Sequence, residues 1–172
     1  MDARLQRFKD AQSQRGSGFE SALAEIQRGR KLGHWIWYVF PQLAGLGHSA
    51  RSQAYGIDGV AEAEAYLRDP LLRGRLLTIA IAVAEQLRRG VSLESLMNSS
   101  IDATKLVSSM TLFGHVAKRL QGLDGLDECA SLARIADEVL VKADAEGYLP
   151  CAFTLDRLRE LPPGQNHGLR PL

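Results

Sequence analysis

Apolar residues along this chain recur three and four apart, the spacing that lines one face of an α-helix. "RLQRFKDAQ" sets Leu5 and Phe8 on one side, and "FESALAEIQRG" repeats Phe19, Leu23 and Ile26 before Gly29 stops it. "SARSQAYG" predicts a short helix, and "DGVAEAEAYLRD" a longer one rich in good helix formers. Asp69-Pro70 reads as an N-cap with proline at the first helical position, launching "LLRGRLLTIAIAVAEQLRRG". Leu71, Ile79 and Leu87 fall roughly on one face of that segment. Its middle is apolar all round, which predicts a helix at the centre of the core. Gly90 ends it and Ser92 opens a short helix, "SLESLMN". The pattern resumes with Leu106, Met110, Phe113 and Ala117, then with Leu132, Ile135, Val139 and Leu140, and "FTLDRLREL" is the last candidate. Only "IWYVF" alternates like a strand, and five residues cannot make a sheet alone. The fold class expected is all-α. Residues 1–161 are expected to form a single all-helical domain, with 162–172, from Pro162-Pro163-Gly164 onward, as a flexible tail.

Composition narrows the function classes. The 172 residues carry 21 Lys and Arg against 20 Asp and Glu, so no bulk basic field argues for nucleic acid. Short basic runs, "RLQR", "RGRK" and "LRRG", are explained more simply as solvated helix faces and C-terminal charges. The longest apolar run, "LLTIAIAVA", is too short to span a bilayer. The N-terminus has no apolar signal region, and a cytoplasmic location is the default expectation. Cys129 and Cys151 make no disulfide framework or CxxC pair, and Cys129 reads as a small hydrophobe.

Two blocks carry candidate chemistry. Residues 33–42, "GHWIWYVFPQ", gather both tryptophans, a tyrosine, a phenylalanine and a histidine. Trp35, Trp37, Val39 and Phe40 suit a core corner first, and also the wall of a binding site. His34 and Gln42 bracket the cluster, and buried indole N–H groups need partners. "GLGHS" follows and leads into a helix start, where free N–H groups favour an anion. It is not a dinucleotide fingerprint, and His34 and His48 lack metal-ligand spacing. No metal and no cofactor are therefore expected.

The second block, residues 101–113, is "IDATKLVSSMTLF". Asp102 and Lys105 lie three apart and share a face, with Ser109 four beyond Lys105 and Ser108 one step round. Asp102 and Lys105 suit a first-turn acid with its exposed ion partner. The functional alternative is a cradle for phosphate or carboxylate.

On these blocks, with "LQRFKDAQ", "ALAEIQRGRKLGHWIWYVFPQLAGLG" and "YGI", the chain resembles the bacterial family of domain of unknown function 1810. The resemblance implies a small helical protein packed like an armadillo-type array, and it supplies no activity. It carries His34, Trp35, Trp37, Phe40, Pro41 and Gln42, then Asp102, Lys105, and residues 108–113. Gly33 stands where the family often has serine, and Val107 where it often has a basic residue.

Two functions from different classes fit. One is a helical protein that binds a small phosphorylated ligand, nucleotide- or ADP-ribose-like, with hydrolysis of an N-glycosidic bond as its enzymatic version. In it Asp102 and His34 are the catalytic candidates, and Trp35, Trp37, Gln42, Lys105, Ser108 and Ser109 the ligand-binding ones. The other is a protein-interaction module that presents its aromatic block to a protein partner.

Overall fold

The computed structural model describes residues 3–159. A 3-10 turn at Ala3–Leu5 leads into α1 (Gln6–Gln12), followed by α2 (Phe19–Gln27), α3 (Ile36–Val39), α4 (Ala50–Tyr55) and α5 (Gly59–Arg68). Then come α6 (Pro70–Arg88), α7 (Leu93–Met97), α8 (Ser100–Leu120), α9 (Glu128–Ala145) and α10 (Ala152–Arg159). The described residues are all-α, and their single extended pairing is one isolated bridge between Leu43 and Ile57. The segment 162–172, expected as a tail, lies outside the described residues.

The punctuation in the sequence acts as its chemistry requires. Asp69 Oδ1 accepts the N–H groups of Leu71 and Leu72, both at 3.1 Å, and so caps α6 ahead of Pro70. Ser92 and Ser99 cap α7 and α8 through Ser95 and Asp102. Gly29 and Gly90 adopt the left-handed backbone that ends α2 and α6. "IWYVF" forms no strand, as its length requires, and Ile36–Val39 closes a helical turn. One expectation changes. Leu71 does not join the core face of α6: eight residues from Ile79 is about 80° round the helix, and Leu71 is exposed.

Helix α8 is the hub, packed against α9, α5, α7, α10 and α3. Its Leu106, Met110, Phe113 and Ala117 are all buried, as periodicity predicts. A methyl at Gly114 would sit 2.9 Å from Cβ of Ala136, so the glycine lets α9 approach α8 closely. Helix α6 lies against α9 and α2, with Ile79, Ala80 and Val83 buried. Each fully buried leucine or phenylalanine contributes about 1.5–3 kcal/mol of transfer free energy to this core. Cys129 is buried in it, and burial pushes its thiol pKa up, as suits a small hydrophobe.

Buried polar groups register the N-terminal helices on the hub. Gln12 Nε2 donates to the Tyr38 carbonyl at 2.7 Å and the Tyr66 hydroxyl at 3.1 Å, tying α1 to α3 and α5. The backbone N–H of Lys31 donates to the Leu96 carbonyl at 2.7 Å, which clips the α2–α3 connection onto α7. These ties bring the aromatic block over the first turns of α8.

Candidate functional site

The aromatic block has two sides with different chemistry. On the first, Trp35 is 0% exposed, and its indole Nε1 donates to Glu25 Oε2 at 2.7 Å. The same oxygen accepts the backbone N–H groups of Leu32 at 2.8 Å and Gly33 at 2.9 Å. Burial alone raises the Glu25 pKa; these donors and the charge of Lys31 outweigh it, so the net shift is downward. Glu25 is thus a fixed anion that folds the chain from α2 into α3.

Lys31 joins this corner to the second block. Only 5% exposed, it places Nζ 2.7 Å from Asp102 Oδ2, 2.6 Å from the Gly33 carbonyl and 5.1 Å from the centre of the Trp35 ring. Asp102 also meets Lys105 Nζ, at 3.1 Å, the pairing that their three-residue spacing predicts. Burial pushes the Asp102 pKa up, and the hydrogen bonds and charges of Lys31 and then Lys105 bring it net down. Asp102 therefore stands as a carboxylate near neutral pH, an acceptor and a counter-charge rather than a proton donor.

On the second side, Trp37 is half-buried beneath two cations. Lys105 Nζ lies 4.6 Å from the ring centre and the Arg51 guanidinium carbon 5.1 Å from it. The Trp37 Nε1 is itself buried and has no hydrogen-bond partner among the described residues. Arg51 continues to the His34 carbonyl, 3.2 Å away. Beyond it opens a groove of about 690 Å³ lined by Gln14, Ser17, His34, Tyr38, Arg51 and Tyr55, among others. Among the described residues no carboxylate lines that groove. The His34 ring has no hydrogen bond among the described residues, so both its nitrogens are available. The two sequence blocks therefore meet, through Lys31–Asp102 and Lys105–Trp37.

Several expected site residues have other duties. Trp35 offers no face for stacking, because it is enclosed completely and its N–H is spent on Glu25. Ser108 is buried and its hydroxyl donates back to the Thr104 carbonyl at 3.0 Å, a helix-internal bond. Ser109 is fully buried, and its hydroxyl is without a partner among the described residues. Gln42 is half-buried at the loop base, where its carbonyl receives the Ile57 N–H at 2.9 Å. The start of α4 is already satisfied by Ser49, which accepts from Ser52 N at 3.1 Å.

A family model described as protein of unknown function DUF1810 matches residues 2–128. The chain belongs to that family. It is also similar to the crystal structure of the conserved hypothetical protein Rv1873 from Mycobacterium tuberculosis. That likeness is 35% identical with a TM-score of 0.66, and covers 88% of this chain and 94% of the other. No curated protein matches.

Within this DUF1810 chain, sequence reasoning missed Glu25, Lys31 and Arg51. Lys31 sits in "RGRK", which reads as a solvated basic run, yet its ammonium is buried between a carboxylate and an indole. The available signal was its position two residues before the aromatic block. Glu25 and Arg51 carry no such signal, since their partners are set by the turns between helices. Among the described residues no cluster of His, Cys, Asp and Glu could hold a metal ion, and no helix is long and apolar enough to cross a membrane.

Proposed function

We propose that this protein binds a small phosphorylated ligand with a flat ring, nucleotide- or ADP-ribose-like, in the groove bounded by His34 and Arg51. One observation carries the reading: Arg51 and Lys105 converge on a single indole whose N–H is unspent, beside a groove without carboxylates. Arg51 has guanidinium donors left after bonding His34, and planar donors match phosphate oxygens bidentately. Tyr38 and Tyr55 supply ring surface in the same groove. A volume of about 690 Å³ is in the range of small-molecule sites.

In the hydrolytic version of this reading, Asp102 works as an anion. Held between Lys31 and Lys105 and outside the groove lining, it would fix the Lys105 ammonium over the Trp37 ring, while His34, which does line the groove, would move the proton.

The test is a titration calorimetry and thermal-shift panel of ADP-ribose, NAD, AMP and inorganic pyrophosphate on wild type, Arg51→Ala and Lys105→Ala. A ligand at about 100 times its Kd stabilises the native state by about 2.7 kcal/mol, or several degrees for a chain of this size. Binding by wild type that weakens tenfold or more in Arg51→Ala supports the reading. Equal shifts in all three proteins, or none, sink it. Product analysis of any binding ligand then decides between binding and hydrolysis.

A specific observation supports the second reading, a protein partner. Leu32 and Ile101, the chain neighbours of Lys31 and Asp102, are 68% and 67% exposed, and exposed large apolar side chains suit a partner's surface.

A further inference from the structure

Residues 44–56 leave the helical body and return to it through one narrow neck. The Ala44 N–H donates to the Ile57 carbonyl at 3.0 Å, and the Ile57 N–H to the Gln42 carbonyl at 2.9 Å. At this neck a methyl on Gly56 would meet the Ala44 Cα at 2.9 Å, so the two ends touch backbone to backbone. A compact surface loop of about 6–16 residues whose ends lie close together is an Ω-loop, a type of segment that is frequently functional. Gly45, at φ +98°, supplies a backbone joint just inside the neck.

The loop's helix, α4, has no buried residue. It is held by Arg51, across the Trp37 ring and the His34 carbonyl, and by Tyr55, whose ring lies 5.2 Å from Tyr38 and 6.1 Å from Phe8, while the loop ends are held by half-buried Leu46 and by Arg7, which donates to the Gly56 carbonyl at 3.0 Å. Beneath it the Trp37 indole N–H is buried without a partner. Burying a donor unpaired is unfavourable, so the closed arrangement leaves an interaction unused that a bound acceptor would satisfy.

We propose that residues 44–56 form a lid hinged at the Leu43–Ile57 bridge and latched by Arg51, and that a phosphate-bearing ligand releases the latch. The anion takes the guanidinium from the His34 carbonyl and the Trp37 ring. The loop carries its wall of the groove, Ala50, Arg51, Ala54 and Tyr55, outward about the neck with the ligand still held by Arg51, and the indole N–H and Lys105 become accessible to the same ligand. The ligand half rests on the proposed function above, and the latch half does not.

Hydrogen exchange by mass spectrometry and acrylamide quenching of tryptophan emission, on the full chain without ligand, test the latch. Trp35 is enclosed, so quenching reports Trp37. In Arg51→Ala, exchange across residues 47–56 is expected to accelerate at least tenfold and quenching to rise at least twofold, with α6 and α8 unchanged. Unchanged exchange in 47–56, or acceleration spread equally over α6 and α8, overturns the lid. Inorganic pyrophosphate added to wild type tests the ligand half. Faster exchange confined to 47–56 supports release by an anion. No change at saturating pyrophosphate overturns it, whichever way the Arg51→Ala result falls.

Discussion

Trp35 and Trp37 stand two residues apart on the same short stretch, and the fold assigns them opposite work. Trp35 is enclosed, its N–H bound to a glutamate that also gathers two backbone donors. Trp37 is half-buried, its N–H unspent, its ring flanked by two cations from separate elements. One is a satisfied anchor and the other an unfinished interaction. Buried polar groups in proteins are nearly always paired, which sets the Trp37 indole apart from its neighbour, as it does the Ser109 and Thr154 hydroxyls among the described residues.

The comparison breaks most readily at the anchor. Trp35→Ala is expected to cost about 3–5 kcal/mol in urea unfolding, from lost burial plus the cavity left behind. Trp37→Ala at the half-buried ring should cost markedly less, and equal losses would erase the distinction between the two indoles.

Glu25→Gln comes next. It removes a charged acceptor shared by three donors and is expected to destabilise by about 1–3 kcal/mol at neutral pH. The sign of its pH dependence follows from the lowered native pKa. The stabilisation is fully present above the unfolded glutamate value of about 4.3 and is lost as pH falls through the lower folded value. Below that range wild type and Glu25→Gln should converge, as unfolding measured between neutral and acid pH would show. A difference that persists in acid would mean that the carboxylate charge is not what organises the corner.

Gly33→Ala probes the same corner sterically. The added methyl would lie 2.9 Å from Trp35 Cδ1 and 3.0 Å from Glu25 Oε1. Relieving that overlap should cost about 1–3 kcal/mol, read as a lowered Tm. A neutral Gly33→Ala would show that the corner has slack. Smallest of all is Trp37→Phe, which keeps a ring under the cations and deletes the orphan donor. Its stability should change by less than about 1 kcal/mol. If it instead unfolds the protein, Trp37 is an anchor too, and the case for a site beside it falls.

The legible part of this molecule is the part written in local pattern. Periodicity placed Leu106, Met110, Phe113 and Ala117 on the buried face of α8, and the Asp69-Pro70 pair announced the start of α6. Leu71 departs from its periodic face, because exposure in the first turn of a helix is set by neighbours rather than by spacing. At the site, the Asp102–Lys105 pair was readable because three residues along a helix is a fixed distance. Lys31 on Asp102 was not, because it crosses between segments far apart in the chain.

The sequence by itself determined that the protein is helical, where its longer helices begin, which face of α8 is buried, and that its aromatic and polar chemistry is concentrated in two blocks. Those properties follow from backbone hydrogen bonding and side-chain periodicity, which act over a few residues. Only the tertiary structure decided that the two blocks meet, that Trp35 is sealed while Trp37 is not, and that Arg51 reaches across from the 44–56 loop. Side chains two apart on a single turn point in different directions, and what each one meets depends on helices brought together from elsewhere in the chain.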